Sequence, residues 1–246
     1  MRYAQIREMD ISNGEGIGVS HFVQGSKFHC KGCFNSETWD FNGGKEWTDE
    51  VRDNFIELVN KPYIKRVSIL GGEPLDPKNI KDVSKLISKI RKKYKERKII
   101  WLYTGFDIEK LVHICTEQKE NEINIDYCKC LEFILENIDV IIDGQYIEEQ
   151  KNMNLKWKGS SNQRTIYVLN DWKIVNRPEL SKNLDTESLK HIVYDISNRI
   201  GDYFLFKDLS DSYYQSYKLI KDDAFNNVEK NQYLIVKEAI FYNKEK

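Results

Sequence analysis

Cys30 and Cys33, in the stretch Gly25-Ser26-Lys27-Phe28-His29-Cys30-Lys31-Gly32-Cys33, form a C-x2-C pair, a spacing at which two thiolates in one turn reach a common metal centre. A third thiolate four places before Cys30 would complete a metal-binding loop, and Ser26 stands there instead. Three further segments have the composition of a ligand site: Gly71-Gly72-Glu73-Pro74, Thr104-Gly105 and Asp143-Gly144. Glycine lets a ligand approach the backbone closely, and Pro74 fixes the exit from its turn. Taken singly, each segment is ordinary punctuation between a strand and a helix. Four in series, one of them carrying C-x2-C, point to a shared pocket.

The elements that must position these residues are legible as apolar runs alternating with helical patterns, the mark of an α/β domain. Ile17 to Val23 reads as a strand that feeds the cysteine loop. Residues 48–59 read as a helix capped by Thr48, with Asp49 and Glu50 in its first turn and Val51, Phe55, Leu58 and Val59 on one face. The strand Val67 to Leu70 stops at Gly71-Gly72. A helix carrying Val83, Leu86, Ile87, Ile90 and Tyr94 leads to the strand Ile99 to Tyr103, and a helical segment around Leu131, Ile134, Leu135 and Ile138 precedes the strand Val140 to Ile142. Parallel α/β sheets and barrels place ligands at the carboxyl ends of their strands, so the four turns are expected on one edge.

Composition bounds what such a pocket serves. The 246 residues, 40% of them apolar, fill one large domain or a domain with an appendage. With 38 basic against 39 acidic residues there is no global charge to draw nucleic acid or anionic lipid, so neither is expected as a partner. No run approaches the roughly 18 apolar residues of a membrane span, and the amino-terminal residues lack a signal-peptide core, so the expected location is the cytoplasm. There, five cysteines stay reduced, which favours metal binding or plain thiols over disulfides.

Asn13-Gly14-Glu15-Gly16, Phe22-Val23-Gln24-Gly25, Cys30-Lys31-Gly32-Cys33-Phe34-Asn35, Glu37-Thr38-Trp39, Gly71-Gly72-Glu73-Pro74, Tyr103-Thr104-Gly105, Asp143-Gly144 and Lys158-Gly159-Ser160-Ser161-Asn162-Gln163-Arg164 occur in that order. Together they resemble the signature of the radical S-adenosylmethionine activating proteins of anaerobic (class III) ribonucleotide reductase. The resemblance covers roughly residues 1–170. It implies a partial (β/α) radical-SAM barrel over 1–170, followed by a carboxyl-terminal extension, 171–246, whose role it leaves open.

The resemblance also assigns tasks. Three thiolates in such a loop hold a [4Fe-4S] cluster with one iron open to S-adenosylmethionine, and reductive cleavage of that cofactor leads to a glycyl radical on the reductase. Cys30 and Cys33 take two ligand positions and Ser26 the first. Gly71, Gly72, Glu73 and Pro74 receive the methionine end of S-adenosylmethionine, with Thr104 and Asp143 beside it. Phe34, Asn35, Trp39, Ser160, Asn162 and Arg164 are candidates for the surface that meets the large reductase subunit, and a flavodoxin or ferredoxin-type protein is the implied electron donor. A serine hydroxyl is a hard ligand where the cluster favours soft thiolate, so the chain as written is expected to be impaired. A deliberate Cys-to-Ser exchange, a natural member that lost the cluster, and an active enzyme with oxygen ligation all produce this sequence. The alternative function is a cluster-deficient nucleoside-ligand or protein-binding module. Milder departures are Glu15, Gly18 and Gly32, where proline, arginine and an aromatic residue are expected.

Other features admit plainer readings. Cys128 and Cys130 could join Cys30 and Cys33 around zinc, but C-x-C within a helical segment is poor ligand geometry and favours ordinary thiols. Lys89 to Lys98 make a basic stretch that suits an acidic donor protein or a solvated helix face. Asn13 to Gly18 precede a strand instead of opening a helix, which excludes a dinucleotide fingerprint. In the extension, a helical stripe over 186–200 and a strand-like run over 233–242 predict folded structure, and its many aromatic residues suit packing or a partner.

Overall fold

The structure, a computed structural model, describes residues 1–169, 203–208 and 216–221. The chain divides into two compact units, Met1–Arg164 and Thr165–Lys246. The helix and strand expected over 186–200 and 233–242 lie outside the described residues.

The first unit contains strands β1 (Arg2–Asp10), β2 (Gly18–Val23), β3 (Lys45–Glu46), β4 (Arg66–Gly71), β5 (Ile99–Tyr103) and β6 (Val140–Asp143). Its helices are α1 (Asp49–Val59), α2 (Ile80–Tyr94), α3 (Ile108–Glu120) and α4 (Ile125–Asn137). The strands lie in the order β3-β1-β2-β4-β5-β6. From β2 to β6 the pairs are parallel, whereas β1 runs antiparallel to both β2 and β3. This is the α/β architecture expected. The sheet is open: β1 is the only strand partner of the two-residue β3 among the described residues. Strand pairing therefore does not close it into a barrel.

Every predicted strand and helix of the first unit is present within a few residues. Thr48 caps α1, its hydroxyl accepting the Val51 N–H at 3.2 Å. In α2, Val83, Leu86, Ile87 and Ile90 are fully buried, each worth roughly 1.5–3 kcal/mol relative to an exposed side chain. Two larger elements add to the expectation. Strand β1 is rich in charged and polar residues, so its sequence lacks clean alternation. Helix α3 buries Ile108, Leu111 and Cys115, but its second half, Thr116 to Glu120, is polar.

Alternation along the parallel strands gives the sheet two different faces. Val19, His21, Val67, Ile69, Ile100 and Leu102 form the helix-side face, where the His21 ring meets Phe55 of α1 at 5.6 Å between centroids. His21 also packs against Trp47 and Tyr3, and burial lowers its pKa to about 3, so it is a neutral aromatic core residue. The opposite face carries Ser20, Phe22, Arg66, Ser68, Leu70, Trp101 and Tyr103. The fully buried Arg66 guanidinium donates to the carbonyls of Asp10 at 2.6 Å, Asn13 at 2.5 Å and Glu15 at 3.2 Å. One side chain thus satisfies the carbonyls of the β1–β2 loop and holds that loop over the sheet.

The second unit contains nearly all of β7 (Arg164–Leu169), with β8 (Tyr203–Asp208) and β9 (Ser216–Lys221). Strand β8 pairs parallel with β7 and antiparallel with β9.

Candidate functional site

Beyond the carboxyl ends of β2, β4 and β5 lies a cavity of about 510 Å³. The cysteine loop supplies Ser26, Phe28, Cys30 and Cys33 to its wall; the turns after β4 and β5 supply Gly71, Gly72, Glu73, Thr104 and Gly105; Gly144 follows β6. The far wall is Arg7, Ser12, Asn13, Phe22 and Tyr103, and the segment carrying Met153, Leu155 and Trp157 covers one side. This volume lies in the 300–1,000 Å³ range usual for small-molecule sites.

The cysteine loop is anchored by backbone hydrogen bonds. Gly25 and Ser26 donate to the carbonyls of Thr38 and Trp39 at 2.7 and 3.0 Å, and Glu73 N–H donates to the Gly25 carbonyl at 2.8 Å. The buried Gln24 side chain donates to Glu37 and Asp40 carbonyls, so the segment after Cys33 is tied back to the end of β2. The same approach accounts for Gly71-Gly72. Gly71 adopts φ +107°, and a Cβ on Gly72 would be driven into the Gly25 carbonyl oxygen.

Glu73 is 2% exposed, and its carboxylate joins two turns. Oε1 accepts from Leu75 N–H and the Thr104 hydroxyl, each at 2.8 Å, and Oε2 accepts from Gly105 N–H at 2.8 Å. Burial pushes its pKa up to about 7 against the pull of those three donors. Pro74 is buried and does not line the cavity. Asp143 is fully buried and also stays off the cavity wall. Its Oδ1 accepts Arg164 Nε at 2.9 Å and its Oδ2 accepts Ile108 N–H at 3.0 Å, so it fastens β6 to the start of α3 and to Arg164.

In the cysteine loop, Cys30 and Cys33 are half-buried and Ser26 is 7% exposed. Burial raises the Cys30 thiol, opposed by hydrogen bonds from the Gln145 side chain and the Tyr146 backbone. Cys33 Sγ accepts Asn35 N–H at 3.4 Å. His29 adopts φ 47° and stacks on Trp39, with centroids 4.7 Å apart and planes within 4°. Among the described residues no three of His, Cys, Asp and Glu lie close enough to hold a metal ion. With the Ser26 hydroxyl counted, three potential donors line one cavity, one of them an oxygen where a three-thiolate set has sulfur.

The outlying cysteines do not join this group. Cys128 in α4 is fully buried beside Cys115 of α3, and burial together with that neighbour raises the Cys115 thiol. Cys130 lies half-buried beside Ser84 of α2. The basic stretch is partly used internally. Arg91 binds Asp139 at 2.6 Å, Lys89 binds Asp53 at 2.9 Å, Lys93 binds Glu57, and buried Lys98 donates to the Lys61 and Ile64 carbonyls at 3.1 and 2.5 Å.

The proposed partner surface divides. Phe34, 54% exposed, sits at the cavity rim with Asn35 and Trp39. Ser160 is fully buried and accepts Ile147 N–H at 3.3 Å, so it presents no surface. Arg164 is engaged with Asp143, and Asn162 Nδ2 donates to the Gln145 carbonyl at 2.8 Å. Sequence reasoning missed Tyr146, which packs on Phe34 at 5.3 Å, and Met153, 77% exposed at the rim. Tyr103, quoted in the sequence only as part of its motif, also lines the cavity, and its buried hydroxyl has no hydrogen-bond partner among the described residues. Position was the available signal: Tyr103 directly precedes Thr104-Gly105 and Tyr146 follows two residues after Gly144.

The family profile described as a 4Fe-4S single cluster domain matches residues 12–166. The anaerobic ribonucleoside-triphosphate reductase-activating protein of Escherichia coli K12 is 34% identical over 165 residues, covering 66% of this chain and 96% of that protein. The chain belongs to this family of activating proteins. The member from Enterobacteria phage T4 is 36% identical over 166 residues, 67% of this chain and 92% of its own, and that of Vibrio cholerae is 33% identical over 165 residues, 66% and 96%. Membership in the activating-protein family rests on the first unit, which holds the whole cavity. No helix among the described residues is long and apolar enough to cross a membrane.

Proposed function

We propose that this chain activates an anaerobic ribonucleotide reductase by binding S-adenosylmethionine beside a [4Fe-4S] cluster and generating a glycyl radical on the reductase. The first unit, in this reading, is a radical-SAM domain of the partial (β/α) barrel type. The observation that carries the reading is the convergence of the cysteine loop, the Gly71-Gly72 turn and the Thr104-Gly105 turn on one cavity. Ser26, Cys30 and Cys33 would hold the cluster. When bound, the cluster supplies the electron that breaks the sulfonium carbon–sulfur bond of the cofactor.

The chain's own residues perform the remaining tasks. Gly71 and Gly72, which line the cavity, would offer backbone carbonyls to the cofactor's ammonium group. Glu73 is a positioning residue: its three hydrogen bonds keep the β4 and β5 turns in register. Asp143 supports the third turn from behind through Arg164 and α3. Phe22, Phe28, Tyr103 and Trp157 wall the interior and exclude water from the reacting atoms. Phe34 and Met153 give the rim an exposed apolar character suited to a protein whose glycine must enter the cavity.

Calorimetric titration with S-adenosylmethionine tests this reading. The reconstituted chain is expected to bind it, and Gly72→Ala is expected to weaken binding at least about tenfold, because the added Cβ displaces the cysteine loop from the β4 turn. Equal affinity in both proteins would remove the turn from the cofactor site.

A further inference from the structure

The polar groups of the turns around the cavity are largely spent on one another. The N–H groups of Gly72, Glu73 and Gly144 donate to the carbonyls of Val23, Gly25 and Phe106, and that of Gly105 donates to the Glu73 carboxylate. The Thr104 hydroxyl donates to Glu73 Oε1 and accepts Phe106 N–H at 3.1 Å, which leaves it no hydrogen for a ligand. Beneath the turns, Phe22, Leu70 and Tyr103 form one row across the sheet and all three line the cavity: Phe22 pairs with Leu70, and Leu70 and Tyr103 each follow the paired residues Ile69 and Leu102 by one step. Trp101, two residues before Tyr103 on the same face, meets Trp157 of the cavity wall edge to face, with centroids 4.9 Å apart. This floor is apolar and aromatic except at one atom. The Tyr103 hydroxyl is shielded from solvent and has no hydrogen-bond partner among the described residues, and of the buried side-chain polar atoms in that state it alone belongs to a residue of the cavity wall. A buried hydroxyl without a partner costs stability, and a ligand that pairs it gains affinity.

Resting on the S-adenosylmethionine reading above, we infer that Tyr103 recognises the nucleoside half of the cofactor, its hydroxyl donating a hydrogen bond to an acceptor nitrogen or oxygen of the adenosine. A flat heterocycle with acceptors along its edge matches an aromatic floor that bears one donor. In the same reading the methionine half lies at the Gly71-Gly72 turn and the cysteine loop, where backbone polar groups surround it, whereas the row of Phe22, Leu70 and Tyr103 has only this hydroxyl to offer. Tyr103 is then a binding residue that selects the nucleoside, and Thr104 beside it serves the turn.

The test is calorimetric titration of the full reconstituted chain and its Tyr103→Phe variant with S-adenosylmethionine and with 5′-deoxyadenosine, together with urea midpoints of both proteins without ligand. Removing the hydroxyl alone is expected to weaken both ligands about five- to tenfold. The unliganded midpoint is expected to stay the same or rise, because no protein group loses a partner. Weaker binding of S-adenosylmethionine alone would place the contact on the methionine half and overturn the assignment, as would failure of 5′-deoxyadenosine to bind the unaltered chain. A lower unliganded midpoint in Tyr103→Phe would show that the hydroxyl serves the fold, which also overturns it. If the two proteins bind both ligands equally, the inference is wrong and the cofactor reading stands. If the unaltered chain binds neither ligand, both fall.

Discussion

Glu73→Ala is expected to lower the stability of the first unit by about 3 kcal/mol at pH 5, because it strands two backbone N–H groups and the Thr104 hydroxyl where water does not reach. The loss should depend on pH in a particular direction. Burial raises the Glu73 carboxyl from its ordinary value of 4.5 to about 7. The folded state therefore binds this proton more tightly than the unfolded chain. The resulting stabilisation is complete below the unfolded value and is lost as pH rises through the folded one, an effect on the order of 3 kcal/mol between pH 4.5 and 7. Urea midpoints measured from pH 5 to 8 should fall with pH in the unaltered chain, and the slope should flatten in Glu73→Gln. A Glu73→Ala protein with unchanged midpoints at every pH would show that the carboxylate does not join the two turns.

Cys33→Ala is expected to abolish S-adenosylmethionine cleavage, read as release of methionine and 5′-deoxyadenosine, and to leave less than about one iron per chain after reconstitution. Cys33 and Cys30 share one turn, Cys33 N–H donating to the Cys30 carbonyl at 3.1 Å, so loss of either thiolate removes half of the soft donors available. Cys130→Ala supplies the comparison. Its thiol lies beside Ser84, outside the cavity, and its loss should leave iron content and cleavage unchanged. If Cys33→Ala retained its iron while Cys130→Ala lost it, the loop would not be the metal centre.

Legibility in the sequence followed from how local each signal is. The strand-to-turn succession Leu70-Gly71-Gly72, Tyr103-Thr104-Gly105 and Ile142-Asp143-Gly144 could be read because apolar runs and glycines alternate at short range, and parallel topology then puts the turns on one edge. Strand β1 was obscured because its place is set by antiparallel pairing with β2, not by an alternating pattern of its own. Side-chain direction was obscured for a related reason. Asp143 and Glu73 both sit in turns bordering the site, yet hydrogen bonds to distant donors turn one away from the cavity and commit the other to Thr104 and Gly105. Ser160 likewise sits in a motif that reads as surface loop, and its burial depends on a contact with Ile147 that sequence order does not announce.

The central claim, that this cavity generates a radical delivered to a glycine of the reductase, is tested most directly by electron paramagnetic resonance of the cognate reductase. The reductase is incubated anaerobically with S-adenosylmethionine, a reductant, and either the unaltered chain, Ser26→Cys or Cys33→Ala. The account predicts a glycyl-radical doublet with Ser26→Cys, a signal at least about tenfold slower to develop with the unaltered chain, and none with Cys33→Ala. Absence of the doublet with a Ser26→Cys chain that carries a full cluster and binds S-adenosylmethionine would contradict it.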